Sequence, residues 1–105
     1  MDNYRNVDVD RLANIYFEGK VISRNIFLKD GSKKTLGVMM VGEYEFKTAS
    51  REIMEIHSGK INLKLKGDDD WKLITEGMSF NIPKHSSFKL EVLKLVNYTC
   101  TYFDD

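Results

Sequence analysis

The chain offers few side chains that could carry out chemistry, and the most prominent of them is a single carboxylate, Glu52. Glu52 lies in the stretch from Gly37 to Gly59, with six residues between it and Gly59. A carboxylate that points into a fold needs a partner, because burial alone raises its pKa. Such a group can bind hydroxyl groups or stabilise positive charge, so Glu52 is the first candidate for a catalytic residue.

The elements that must position Glu52 are short strands. Tyr44, Phe46 and Thr48 alternate with charged residues, which places one side toward a core and the other toward water. Short apolar or alternating runs bounded by turn residues predict strands over 14–17, 20–28, 36–41, 44–48, 53–56, 60–66, 71–74, 78–82, 88–95 and 97–103.

One segment leaves two interpretations open. Residues 50–57 fit a helix capped by Ser50, although strand-like neighbours favour a strand that ends in a turn at Ser58-Gly59. Short strands with frequent turns predict an all-β fold, either a sandwich or a barrel. We expect one domain over residues 11–105, after a flexible N-terminal tail over residues 1–10.

Composition narrows the function classes. Lys plus Arg and Asp plus Glu both number 16, and this balance gives no support for binding nucleic acid or a membrane surface. The chain has no apolar run of transmembrane length, and from its polar first residues we expect no signal peptide. Cys100 is the only cysteine, which excludes an internal disulfide and a cysteine-rich zinc site. A reducing cytoplasm is the simplest expected compartment.

Two spacings resemble known motifs. The pattern from Glu52 to Gly59 resembles the end of the first cupin motif, and Gly77 to Pro83, with five residues between them, resembles the start of the second. The resemblance implies a single-domain cupin, a jelly-roll or conical β-barrel of two antiparallel sheets.

Longer strings resemble one family of small cupins, the pyrimidine/purine nucleoside phosphorylases. The matching strings cover about residues 14–103 and include Gly37-Val38-Met39-x-x-Gly42-Glu43-Tyr44, Gly77-x-x-Phe80-x-x-Pro83 and Tyr98-x-Cys100-x-Tyr102. The resemblance implies phosphorolysis, in which a nucleoside and inorganic phosphate as co-substrate give a free base and ribose 1-phosphate. It also implies that both purines and pyrimidines are accepted.

The resemblance to cupins also bears on cofactors. A usual cupin holds a metal with three histidines and a glutamate, and the matching positions here are Phe46, Thr48, Glu52 and Phe88. One carboxylate with two phenyl rings cannot supply the three or four ligands that a transition metal needs. We therefore expect no metal and no other cofactor, and this disfavours a metal-dependent dioxygenase or isomerase.

The expected site follows from these positions. Glu52 is expected to contact ribose or stabilise its developing charge, and His85 in the polar loop 84–86 to supply a proton. Substrate contacts are expected from Tyr44, Phe46, Thr48, Arg51, Ser86, Phe88, Tyr98 and Tyr102. Aromatic rings stack on any base, although in a small barrel they are more often core. Arg51 is a surface charge unless the chain bulges beside it, and the loop has the alternative of an ordinary turn.

The expected partners are nucleosides and phosphate, with a homodimer implied by the resemblance and by the exposed edges of small sheets. Neither nucleic acid nor a membrane is expected. The alternative from another class is a non-catalytic cupin that binds a nucleoside-like ligand. A phosphate site near Glu52 would separate the two, and sequence spacing does not reveal one.

Overall fold

The computed structural model describes residues 3–105, and its strands follow one another with short connections. A 3-10 turn at Phe17–Gly19 interrupts them, and residues 3–105 contain no α-helix and hence no helix that could span a membrane. The predicted all-β, cupin-like fold is confirmed. The strands are β1 Asp8–Val9, β2 Asn14–Tyr16, β3 Val21–Phe27, β4 Lys33–Met39, β5 Gly42–Lys47, β6 Arg51–Leu65, β7 Lys72–Thr75, β8 Ser79–Ile82 and β9 Ser87–Phe103.

Two long strands, β6 and β9, pair with each other and hold the fold together. The first part of β9 pairs with β5 and its second part with β4. In the same way, the first part of β6 pairs with β8 and its second part with β7. All these pairs are antiparallel, so two groups of strands share β6 and β9 and fold over one core. The result is an open jelly roll rather than a closed barrel.

The corner between the two groups lies at Gly59. The register between β6 and β9 shifts from Ile56 to Ile61, which marks a β-bulge. Gly59 has φ 101°, and a Cβ there would collide with the carbonyl oxygen of Leu95. Only glycine meets both conditions without strain. A bulge therefore bends both long strands at one place.

Three predictions about the chain are wrong, because β6 and β9 are long strands that bend without ending. Ser58-Gly59 does not turn the chain back, because β6 continues through the bulge to Leu65. The helical alternative for residues 50–57 is wrong, since Arg51 begins a strand there. The two strands predicted over 88–95 and 97–103 are one strand, β9, which bends without ending.

The core lies between the two groups of strands and is drawn from every second residue of each. Fully buried aliphatic side chains come from β3, β4, β6, β8 and β9, and each contributes about 1.5–3 kcal/mol of burial free energy. Four partly buried side chains pack against their rim. The buried set is Val21, Met39, Tyr44, Met54, Ile56, Ile61, Leu63, Ile74, Ile82, Phe88, Leu90, Val92, Val96, Tyr98 and Cys100, and the rim is Phe46, Leu65, Phe80 and Tyr102.

The N-terminal segment lies on the outer side of the strands. Asp8–Val9 pairs with the end of β3, and the Tyr4 hydroxyl donates to Oγ1 of Thr99 at 3.2 Å. His57, which is exposed, contacts the same Thr99 hydroxyl at 2.7 Å. Residues 1 and 2 of the predicted tail lie outside the described residues, and the domain boundary at residue 10 stays a prediction.

Candidate active site

Glu52 lies where β6 begins, and its neighbours on both sides are fixed by strand pairing. It stands opposite Tyr102 of β9 and opposite Ile82 of β8. Met54, two residues on, is buried in the core, so strand alternation turns Glu52 to the same inner side. Glu52 therefore faces inward near the start of β6 and is half-buried, at the place called here the open end of the core.

The carboxylate of Glu52 has two neighbours that act on its charge. The Cys100 thiol donates to its Oε1 with an Sγ–O distance of 3.3 Å. Burial raises the pKa of Glu52, and the thiol hydrogen bond and the charge of Lys33 oppose this rise. Burial and the adjacent carboxylate raise the pKa of Cys100, so the thiol stays protonated and keeps donating. The thiol is a weak donor, and Glu52 retains capacity to accept from a ligand.

Lys33 is part of this end of the fold, and sequence reasoning missed it. The prediction started β4 at residue 36, whereas the strand begins at Lys33 and turns Lys33 and Thr35 to the inner side. The Lys33 ammonium lies 4.8 Å from the centre of the Tyr102 ring, a cation–π contact. The Tyr102 hydroxyl lies 3.2 Å from Oγ1 of Thr35. Burial, with the buried Cys100 beside it, raises the pKa of Tyr102, so the phenol remains a neutral donor.

Two of the positions that match cupin metal ligands, Phe46 and Phe88, lie in an aromatic cluster. The rings of Phe46 and Phe88 stack with their centres 5.4 Å apart, as strand pairing of these two residues requires. Phe88 is only 2% exposed and belongs to the core, whereas Phe46 is half-buried. Tyr16 and Phe17 contact Phe46 and remain 47% and 41% exposed, so they offer ring surface to a ligand. Sequence reasoning did not assign these two residues to the site.

Two predicted tyrosines are held in place by the fold. Tyr44 is buried, and its hydroxyl donates to the carbonyl of Met40 at 2.7 Å. Tyr98 is buried against Gly37, where an added Cβ would lie 2.5 Å from Cζ of the ring. Burial, with the neighbouring Cys100, raises the pKa of Tyr98 to about 12. Tyr98 therefore faces the core as a neutral phenol. The ring of Tyr44 packs against the ring of Phe17.

The polar loop after Pro83 is fastened to the end of β5 by Thr48. The Thr48 hydroxyl donates to the Pro83 carbonyl at 2.7 Å and accepts from the Ser86 amide at 2.9 Å. The hydroxyl is therefore engaged in holding the loop. His85, between them, is exposed and has φ 54°, an unusual conformation for a residue with a side chain. The loop presents His85 to solvent at the rim of the site.

Arg51 points away from Glu52. Its guanidinium forms an ion pair with Asp105 at 3.1 Å and lies 3.9 Å from the centre of the Phe103 ring. No bulge turns Arg51 inward, and the side chain is engaged on the outer surface. The structure therefore pairs Glu52 with Tyr102 across β6 and β9, and stacks Phe46 on Phe88 across β5 and β9. Thr48 holds the loop that carries His85 and Ser86, and Arg51 lies outside.

The residues do not fit the metal that other cupins hold. Glu52 is the one carboxylate at the four cupin ligand positions, and the other three are two stacked phenyl rings and the engaged Thr48 hydroxyl. Within residues 3–105, no three His, Cys, Asp or Glu side chains come together as a metal site would require.

The chain is similar to known proteins in both sequence and structure. The sequence profile described as pyrimidine/purine nucleoside phosphorylase matches residues 11–102. The protein of that name from Geobacter sulfurreducens is 49% identical over 102 residues, which are 97% of this chain and 98% of that protein. The one from Leptospira borgpetersenii is 47% identical, with 97% of this chain and 98% of that protein covered.

Solved structures support the same relation. A protein of unknown function from Acinetobacter sp. ADP1 is 35% identical with a TM-score of 0.93, over 96% of this chain and 98% of that one. An RmlC-like cupin from Shewanella frigidimarina has a TM-score of 0.69 at 14% identity, over 96% of this chain and 86% of that one, and shows the fold alone. The profile and the near full-length identities establish, as the sequence motifs predicted, that this chain belongs to the pyrimidine/purine nucleoside phosphorylase family.

Proposed function

We propose that this enzyme cleaves purine and pyrimidine nucleosides with inorganic phosphate and without a metal ion. A phosphate oxygen forms a bond to C1′ of the ribose while the bond from C1′ to the base nitrogen breaks. The electrons of that bond leave with the base, which takes up a proton, and the products are free base and ribose 1-phosphate. The family supports the reaction class, since relatives of nearly the same length carry the name of a nucleoside phosphorylase.

The observation that carries the proposal is the environment of Glu52. This carboxylate is half-buried, keeps accepting capacity beyond the Cys100 thiol, and lies at the open end of an aromatic-walled core. As the base leaves, positive charge develops on the ribose, and a fixed carboxylate in a partly dry site stabilises that charge. Glu52 takes this role and accepts from ribose hydroxyls, and His85 on the rim loop is the candidate proton donor for the base.

Broad base specificity follows from ring stacking rather than from hydrogen bonds to base edges. Phe46 keeps part of its surface accessible, and Tyr16 and Phe17 extend the aromatic surface toward solvent. Stacking is tolerant because every base has a π face, and it contributes about 1–3 kcal/mol per base. This surface accepts purines and pyrimidines alike.

The proposal that no metal is needed rests on the side chains at the four cupin ligand positions, which include only one carboxylate. The test incubates purified protein with uridine, adenosine or guanosine, with and without phosphate, in the presence of a chelator. Free base and ribose 1-phosphate that form only with phosphate, and at an unchanged rate with the chelator, are the expected result. A rate that falls with the chelator and returns with added metal would refute metal independence. Absence of product would favour a nucleoside-binding protein instead.

We also propose that the enzyme is a cytoplasmic homodimer. Ile22 and Leu36 on the outer side of β3 and β4 are 40% and 37% exposed, and with Val38 they line an apolar depression of about 510 Å³. A second copy that covers this face would bury it. Sedimentation at micromolar concentration should give twice the chain mass of 12.2 kDa. A monomer there would refute the proposed dimer.

A further inference from the structure

We propose that Lys33 binds the phosphate co-substrate at the open end of the core, beside Glu52. The inference rests on the proposed function, because it assumes that Glu52 marks the position of the ribose. Phosphate must then approach C1′ from within a few ångströms of a carboxylate. At such a distance two negative groups repel each other by about 4 kcal/mol at an effective dielectric constant near 20. A nearby cation is required to offset this repulsion.

Lys33 is the cation that the fold brings to this place. Its charge lowers the pKa of Glu52 against the effect of burial, and it acts on Cys100 in the same way. Within residues 3–105 no carboxylate lies within 4.0 Å of its ammonium. The ammonium instead rests over the Tyr102 ring, which orients it and leaves its three donors unused by any anion.

Three other cations near this end are engaged elsewhere. Lys34, next in β4, points to the outer side and donates to Oγ1 of Thr101 at 2.8 Å. Arg51 is paired with Asp105, and Lys84 donates to the Asp105 backbone carbonyl at 3.2 Å. Each of these contacts holds its cation on the outer surface. Lys33 is therefore the cation of this set with access to the core side.

A depression of about 520 Å³ opens beside Lys33 and gives an anion a route to it. Ser50 and Tyr102 line the same space, so hydroxyl donors lie near the ammonium. Asp30 and Asp104 also line it and would repel phosphate from the outer part. The Asp30 carboxylate accepts from the amide of Ser32 within its own turn at 2.8 Å. The phosphate therefore takes the side of Lys33 and Tyr102, because Tyr102 stands opposite Glu52 in the pairing of β6 with β9.

The test compares Lys33→Met with Lys34→Met. Methionine keeps the apolar stem over the Tyr102 ring and removes the charge, and Lys34 provides the same change one residue away on the outer side. Calorimetry measures binding of inorganic phosphate to each protein, with and without free uracil. Steady-state kinetics then measures KM for phosphate and for uridine. Lys33→Arg serves as the charge-retaining variant.

Lys33→Met is expected to weaken phosphate binding and raise KM for phosphate at least tenfold, with KM for uridine within twofold of wild type. Lys34→Met should match wild type, and Lys33→Arg should regain part of the affinity. The inference is overturned if Lys33→Met binds phosphate as wild type does, if Lys34→Met loses as much, or if wild type binds no phosphate. If phosphate binding depends on Lys33 but the protein shows no turnover, the anion site is supported and the proposed reaction is refuted.

Discussion

Replacing Glu52 by glutamine should separate catalysis from folding, because the side chain keeps its shape and loses its charge. The Cys100 thiol, 3.3 Å from Oε1, can donate to an amide oxygen as well as to a carboxylate. The ribose in the transition state, however, loses one fixed negative charge. Removal of one preorganised electrostatic contact costs about 2.7–4 kcal/mol. This corresponds to a kcat that is roughly 100- to 1000-fold lower for Glu52→Gln.

The same substitution should raise the thermal stability near neutral pH. Burial raises the pKa of Glu52 in the folded chain above its ordinary value of 4.5, so folding favours its protonated form. Its contribution to stability is therefore fully present below pH 4.5 and is lost as the pH rises through the folded pKa. Glutamine stays neutral throughout. The Tm of Glu52→Gln should exceed that of wild type near neutral pH, and the difference should vanish in acid.

The assay pairs kcat for uridine at saturating phosphate with calorimetric Tm values from acid to neutral pH. Glu55→Gln is the matched control, because Glu55 lies on the same strand and on its opposite side. Wild-type turnover in Glu52→Gln would remove Glu52 from the chemistry. A lower Tm than wild type near neutral pH would show that the carboxylate is held by favourable contacts, which contradicts the balance of burial and partners described above.

Three further changes test other parts of the structure. Gly59→Ala should lower the free energy of unfolding by about 3 kcal/mol or more, because a left-handed residue costs about 1–2 kcal/mol and the backbone clash adds to it. Gly77 has φ 86° and open space around it, so Gly77→Ala should lose only the conformational part in urea unfolding. Phe46→Leu should raise KM for both uridine and adenosine about tenfold by loss of stacking, and an effect on one base alone would refute the shared aromatic surface. Arg51→Gln should leave the kinetics unchanged and alter stability by less than about 1 kcal/mol, because its pair with Asp105 is exposed.

Strand periodicity predicted most of this fold, and the errors share one cause. Alternation identified the inner side of β5 through Tyr44, Phe46 and Thr48, which the structure places on one side. It failed at Gly59, because a glycine in a bulge and a glycine in a turn have the same local sequence. The difference depends on contact with Leu95, far along the chain, where the added Cβ would collide. Long bent strands are therefore divided into short ones when only local pattern is used.

The positions of candidate residues in the fold were predictable where a motif fixed them, whereas their roles stay predictions. Glu52 and Phe46 occupy motif positions, and strand pairing sets Glu52 opposite Ile82 and Phe46 opposite Phe88. Lys33 has no such signal, since a lysine beside a turn is usually on the surface. The alternation of Lys33 and Thr35 ahead of buried Met39 could have indicated it, had the strand been extended upstream.

Protonation of Glu52 and binding of phosphate at Lys33 should be thermodynamically linked, because the two groups lie close together in the proposed site. A phosphate dianion beside Glu52 favours the protonated carboxyl, so phosphate binding should raise the pKa of Glu52 further. By reciprocity, phosphate affinity should fall as the pH rises through that pKa. Lys33 attracts both groups and so offsets their mutual repulsion without removing it. Removal of that charge should weaken phosphate binding most at the upper end of the pH range, where phosphate is a dianion and loses more attraction than a monoanion does.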